Sequence, residues 1–184
     1  MDIFAHGLWT AVAYKAVNQK KHISLRVWTA SFWGIFPDLF AFTIPFVWIV
    51  WSIISGRFMF SDFPRSGDVE PVSQSILPVF KLASSLYNMS HSAVVFFVAY
   101  GITAFILRRH VWEMGGWLLH ILIDVPTHTY HLYPTPVLWP FSSWKFNGIS
   151  WGVWWFQLIN YSALIAAFLL LRRKNVNKHR SKAL

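Results

Sequence analysis

Seven side chains able to bind a metal or carry a proton stand in or beside stretches that otherwise read as lipid-spanning: His6, Asp38, His91, His120, Asp124, His128 and His131. An ionisable group at the centre of a membrane helix costs on the order of 2.5–3.5 kcal/mol on insertion scales, so its presence there points to function. All seven are His or Asp, the imidazole and carboxylate donors that suit zinc and related divalent cations. The densest run is His120-Ile-Leu-Ile-Asp124-Val-Pro-Thr-His128. His and Asp four residues apart lie one above the other on one helix face, so both can reach one metal or two adjacent metals. His128 extends that face if the helix continues past Pro126, which removes a backbone bond and kinks the chain.

Asp38 follows Pro37 in Gly34-Ile-Phe-Pro-Asp-Leu. Proline suits the first turn of a helix and Asp favours its N-terminus. Asp38 therefore reads as a carboxylate that caps a half-helix after a break and is aimed into the bundle. His91 opens a later apolar stretch in Asn88-Met-Ser-His-Ser, and His6 lies between Ala5 and Gly7, small neighbours that permit close helix contact. The expected metal ligands are His6, Asp38, His91, His120, Asp124 and His128, with Asp38 and His128 as candidates to move a proton. His131 reads as a further ligand or as a loop residue that positions substrate, and Lys145 as a cation that attracts a substrate phosphate. His22, His110 and His179 stand among basic residues and read as solvated surface.

These residues need a scaffold, and composition says which kind. The chain has 184 residues, 55% hydrophobic and 19% aromatic with only 12% charged, which is one domain's length and too apolar for an ordinary soluble domain. Cysteine is absent, which excludes disulfides, thiolate metal sites and a thiol nucleophile. The expected fold class is all-α, an integral membrane helical bundle of about five transmembrane helices at residues 3–17, 27–54, 87–107, 111–126 and 151–171. Pro37 and Pro45 predict a kinked or broken second span, and residues 56–86 and 129–150 predict loops. The twelve Trp residues, Trp33 and Trp117 among them, read mostly as interfacial belts. Residues 1–171 form the expected embedded domain and 172–184 a mobile basic tail; no cleavable signal peptide is evident.

Charge orients the bundle. Twelve of the sixteen Lys and Arg residues fall between spans one and two, between spans three and four, or after span five. All twelve lie on one side of a five-span protein, which puts the N-terminus outside and the C-terminus in the cytoplasm. The net charge of +9 is thereby a matter of orientation and of anionic headgroups, with no nucleic-acid partner implied. In that arrangement the coordinating residues gather in the outer half of the membrane.

The order of motifs resembles the bacterial membrane-bound metal-dependent hydrolase family: His6-Gly7, Pro37-Asp38-Leu39, His91-Ser92, His120 to Asp124 with Thr127, and Trp139-Pro140-Phe141. The resemblance covers roughly residues 3–155 and implies a metal and hydrolysis more than a substrate. A more distant similarity is to zinc-dependent phospholipase C and related zinc nucleases, which also carry His-x3-Asp on one helix and hydrolyse phosphodiesters. This chain lacks their N-terminal Trp ligand and their late His-x3-Glu pair, so one or two ions are expected rather than three.

The expectation is a metal-dependent hydrolase of the bacterial inner membrane, its site facing outward. It would act on a lipid or lipid-linked ester, foremost a phosphoester, with one or two divalent ions, foremost zinc. Membrane lipids are its expected partners. The rivals use the same residues: a divalent-metal or proton transporter, a haem protein, or a non-enzymatic membrane protein stapled by a structural metal.

Overall fold

The computed structural model describes residues 1–21, 23–57, 78–130 and 133–180. They form six α-helices: α1 (Ile3–Lys21), α2 (Val27–Ile54), α3 (Pro78–Ser90), α4 (Ala93–Leu107), α5 (Gly115–Thr127) and α6 (Trp154–Arg180). A single 3-10 turn, Trp112–Met114, leads into α5. The described residues contain no β-strand, in keeping with the all-α expectation.

Helix α5 is the hub. One of its faces carries Trp117 and Ile121 into an apolar core with Phe96 of α4 and Met114, flanked by Trp33 and Phe36 of α2. Trp117 is buried and stacks on Trp33 with ring centroids 6.0 Å apart, which corrects its assignment to an interfacial belt. The opposite side of the bundle packs Ala5 and Val12 of α1 against Leu164 of α6.

Where α1, α2 and α5 cross, the backbones come close enough that only glycine fits. A Cβ on Gly116 would run into the carbonyl of Ala30, and one on Gly34 would run into the Thr10 side chain. Small residues at helix crossings allow this approach. The result is that His6 on α1, the Gly34 carbonyl on α2 and His120 on α5 lie within one side-chain length of each other.

Three expectations about the elements change. Helix α2 runs unbroken through Pro37 and Pro45, so Asp38 sits in mid-helix and caps nothing. Pro37 deprives the Trp33 carbonyl of its usual amide partner; one residue on, the Gly34 carbonyl faces His120 Nδ1 at 2.7 Å. Residues 78–86, expected in a loop, are helical, with Pro78 at the first position, where its fixed φ favours a helix start. The stretch expected as one span at 87–107 is instead bent by 62° between α3 and α4. The break falls at His91-Ser92: Ser92 is extended and its side chain accepts a hydrogen bond from Val95 N at 3.3 Å, starting a new helix.

Among the described residues two helices are long and apolar enough to cross a membrane, Val27–Ile54 and Trp154–Lys174, or three if the bent pair of α3 and α4 counts as one span. Helix α5, with 13 residues, is about 20 Å long at 1.5 Å per residue, short of a hydrocarbon core of about 30 Å. The expected spans at 3–17 and 111–126 are therefore helices that do not meet the length and composition of a crossing. Helix α6 continues past residue 171 to Arg180, so this much of the expected mobile tail is helical.

The glycine crossing predicts a contrast. Gly116→Ala sets a methyl against the Ala30 backbone and is expected to destabilise by roughly 1–3 kcal/mol, the usual cost of overpacking. Gly101→Ala on α4 meets open space. It is expected to be neutral or to stabilise by up to about 1 kcal/mol through helix propensity. Thermal unfolding in one detergent, followed for both variants beside the wild type, checks the pair; equal effects would refute the close crossing.

Candidate metal centre

His120 and Asp124 project from the same face of α5, one turn apart, and both are buried. Asp38 reaches in from α2 and His91 from the junction of α3 and α4. One donor atom from each of these four residues lies within 4.8 Å of all the others. Four residues spread over 87 positions of chain are thus brought together by two helices and one helix break.

The histidine tautomers follow from their neighbours. His120 Nδ1 lies 2.7 Å from the Gly34 carbonyl and His91 Nδ1 lies 3.2 Å from the Tyr87 carbonyl. A carbonyl oxygen only accepts, so each Nδ1 carries the hydrogen. In the neutral rings both Nε2 atoms then present lone pairs, and they face each other at 3.0 Å. Two lone pairs in that position repel unless a proton or a cation lies between them. A metal at about 2.0–2.1 Å from each nitrogen spans roughly 2.9–3.4 Å between octahedral and tetrahedral angles, which brackets the observed separation.

The carboxylates complete the set. Asp124 Oδ2 is 3.0 Å from His120 Nε2 and 3.4 Å from His91 Nε2, and Asp38 Oδ1 is 3.4 Å from His91 Nε2. Asp124 Oδ2 is buried without a directed hydrogen bond, although imidazole nitrogens surround it. Short distances with poor hydrogen-bond directions are what donors aimed at a shared cation produce. The residues present therefore fit a metal: two imidazoles with their remote nitrogens tied to carbonyls, and two carboxylates. The tie fixes ring orientation and raises ligand basicity, as in other carbonyl-anchored histidine sites.

Asp124 also faces the other way. Its Oδ1 lies 2.8 Å from His6 Nε2 and 3.3 Å from His128 Nδ1, and it pairs with the Met1 ammonium. His6 stacks on His120 at 3.7 Å between ring centroids, and neither of its ring nitrogens has a directed hydrogen bond. His128 lies just beyond the end of α5 in extended backbone, so it does not continue the helical face; it turns back, with Nδ1 3.1 Å from the Asp124 carbonyl.

Exposure grades the donors. The side chains of His6, His91, His120 and Asp124 are at most 1% exposed, that of His128 is 8% exposed and that of Asp38 15%. Among the described donors, Asp38 is thus the most exposed and His128 the next. All six expected ligands come together around Asp124, four as one group and His6 and His128 beside it. His131 lies outside the described residues. Lys145 is in the α5–α6 connection, its carbonyl accepting from the Tyr130 hydroxyl at 3.2 Å; among the described residues it forms no ion pair with the cluster. His110 is remote, beside Tyr100 at the far end of α4.

The supporting shell was missed from sequence. Tyr87 stacks on His91 at 3.8 Å, and Ser90 Oγ lies 2.9 Å from His91 Nδ1. The Trp117 indole donates to the Ser90 carbonyl at 2.6 Å, linking the α5 core to the helix break. Tyr87 and Trp117 look like ordinary apolar content in the sequence, and Gly34 like a loosening residue. The usable signal was spacing: Tyr87 precedes His91, and Gly34 precedes Asp38, by one helical turn.

Comparison with known proteins returns no family model, no curated protein and no solved structure that matches this chain. The resemblance to a hydrolase family therefore rests on motif order alone.

Elemental analysis of detergent-purified protein checks the centre. Asp38→Ala, His91→Ala, His120→Ala and Asp124→Ala are each expected to remove stoichiometric divalent metal, and His110→Ala to retain it. Ser90→Ala is expected to weaken binding by about tenfold, the low end for outer-shell partners. Unchanged metal content in Asp38→Ala and His120→Ala would sink the assignment.

Proposed function

We propose that this protein is a membrane-embedded, metal-dependent hydrolase that acts on a lipid or lipid-linked ester, foremost a phosphoester. One observation carries the reading. Among the described residues the His and Asp donors are almost wholly buried, and the most exposed of them, Asp38, stands on a helix apolar enough to cross a bilayer. A purely structural metal site is closed on all sides, whereas a catalytic one keeps a position open.

In this reading Asp38, His91, His120 and Asp124 would hold one zinc ion, with His6 beside the second oxygen of Asp124 and His128 left free for proton transfer. Zinc there supplies a Lewis acid and an activated water near neutral pH. The protein's own residues do the rest. His91 and His120 keep their Nε2 atoms in place through the carbonyls of Tyr87 and Gly34. His128, with Nδ1 engaged by the Asp124 backbone and Nε2 without a hydrogen bond among the described residues, accepts the proton of the attacking water and passes it to the leaving oxygen. Asp38, the most exposed donor, borders the entry of the ester. Lys145 in the α5–α6 connection draws the phosphate toward that entry.

The same reading takes the chain as a five-span protein of a bacterial inner membrane with the cluster on the outer side, and as a member of the membrane-bound metal-dependent hydrolase family. The charge asymmetry and the motif order support it. Helices α1 and α5, too polar or too short to cross alone, then cross within the bundle that α2, the bent α3–α4 pair and α6 anchor.

The test is hydrolysis of phospholipids and lipid phosphates by purified protein. Activity is expected to vanish with a chelator and to return with zinc. His128→Ala is expected to keep bound metal while losing about 10²–10⁴-fold in rate, the usual worth of a positioned acid-base group. Metal-loaded protein that hydrolyses none of these lipids, yet carries divalent ions into vesicles in a His120-dependent way, would overturn the proposal in favour of transport.

A further inference from the structure

The connection between α5 and α6 holds apolar side chains out from the protein: Phe141 is 85% exposed, Trp144 53% and Phe146 44%. This connection is not a loose loop. Its first limb is tied to the helix break that carries His91. There Ala93 N donates to the Val137 carbonyl at 2.9 Å, and Ser92 Oγ donates to the Trp139 carbonyl at 2.6 Å. Its second limb is tied to the end of α5. There Ile149 N donates to the Pro126 carbonyl at 2.9 Å, and Gly148 N to the His128 carbonyl at 2.8 Å. Gly148 is required at that point, because a Cβ would strike the Pro126 carbonyl. Residues 137–151 of the connection thus form a strap anchored at the helix break beside His91 and at the end of α5, with an exposed aromatic tip.

We propose that this strap is a lipid-contact surface whose tip seats in the headgroup–acyl boundary of the bilayer and holds the metal centre at headgroup depth. Two observations on the strap itself favour lipid. The tip composition is interfacial: Trp, Phe and Ser, with Lys145 as the sole charged side chain between residues 134 and 153. Aromatic rings with one polar edge and a long-stemmed cation sit well at a headgroup layer, where anionic phosphates meet the ammonium. The strap also runs directly into α6, one of the two helices long enough to cross a membrane, whose first residue, Trp154, is 76% exposed. The tip therefore continues the outward-facing apolar belt of that helix. A tip built for a protein partner would be expected to carry more than one charged group to fix register. Seating in lipid needs no catalysis; that the strap thereby hands a lipid ester to the cluster rests on the hydrolase reading above.

The chain has no cysteine, so Phe141→Cys and Trp144→Cys each provide one attachment point for an environment-sensitive fluorophore. Labelled full-length protein is reconstituted into phosphatidylcholine–phosphatidylglycerol vesicles containing brominated lipid, or exposed to iodide on both faces. Gly101→Cys, on the exposed side of α4, serves as the lipid reference and Arg109→Cys as the water reference. Probes at 141 and 144 are expected to be quenched severalfold more by brominated lipid than by iodide, as at 101. Iodide quenching as strong as at 109 would overturn the proposal. Shielding from iodide without bromine quenching, together with disulfide-linked dimers of Phe141→Cys, would assign the tip to a second copy of the chain and would equally overturn it. Neither readout depends on hydrolysis, so a failure here and a failure of the hydrolase reading are told apart.

Discussion

A buried carboxylate with histidines on both of its oxygens is the constraint on which the rest of this structure depends. Asp124 is 1% exposed. An isolated carboxylate cannot be kept charged in such surroundings without compensating positive charge and hydrogen bonds. His91 and His120 stand on one of its oxygens, and His6, His128 and the Met1 ammonium on the other. Every helix that contributes to the cluster is held where that compensation requires it. The cost of burying the group is what makes the arrangement specific: withdrawing any one imidazole leaves its neighbours facing a poorly compensated charge.

Holding the imidazoles still is the task of the backbone. The Gly34 carbonyl is aimed at His120 because α2, α1 and α5 cross without side chains between them at Gly34 and Gly116. The Tyr87 carbonyl is aimed at His91 because α3 stops there, with Ser92 starting the next helix. The proline in α2 and the break between α3 and α4 look like flaws in long apolar helices. Each lies within one helical turn of a carbonyl that orients a histidine. Irregular backbone in an apolar setting survives where neighbours satisfy its polar groups, and here those neighbours are the donors of the candidate centre and the residues around them.

The strap between α5 and α6 connects this interior to the surface. Its backbone bonds reach the two ends of the cluster, at Ala93 beside His91 and at the carbonyl of His128 itself. Its aromatic tip faces outward. A movement of the tip would therefore be felt first at the helix break and at the end of α5.

Residue chemistry was legible in the chain itself. An apolar, cysteine-free sequence interrupted by His and Asp must keep those groups for a purpose, and the i, i+4 spacing of His120 and Asp124 places both on one face whatever the bundle around them. What the chain could not reveal was how the remaining donors meet that pair. Pro37 reads locally as a break, yet α2 is continuous, because packing against α1, α3 and α5 outweighs the loss of one backbone hydrogen bond. Residues 87–107 read as one apolar span, yet the helix stops at His91. The Ser92 cap and the contacts of Ser92 and Ala93 with the strap, 44 to 47 residues further on, are non-local and leave no periodic trace. Hydropathy and spacing determined which residues carry the chemistry, because transfer cost and helical period are properties of the local chain. Tertiary structure decided that Asp124 stands between two groups of histidines and that Asp38 is the most exposed of the described donors, because those depend on which carbonyls and glycines meet across helices.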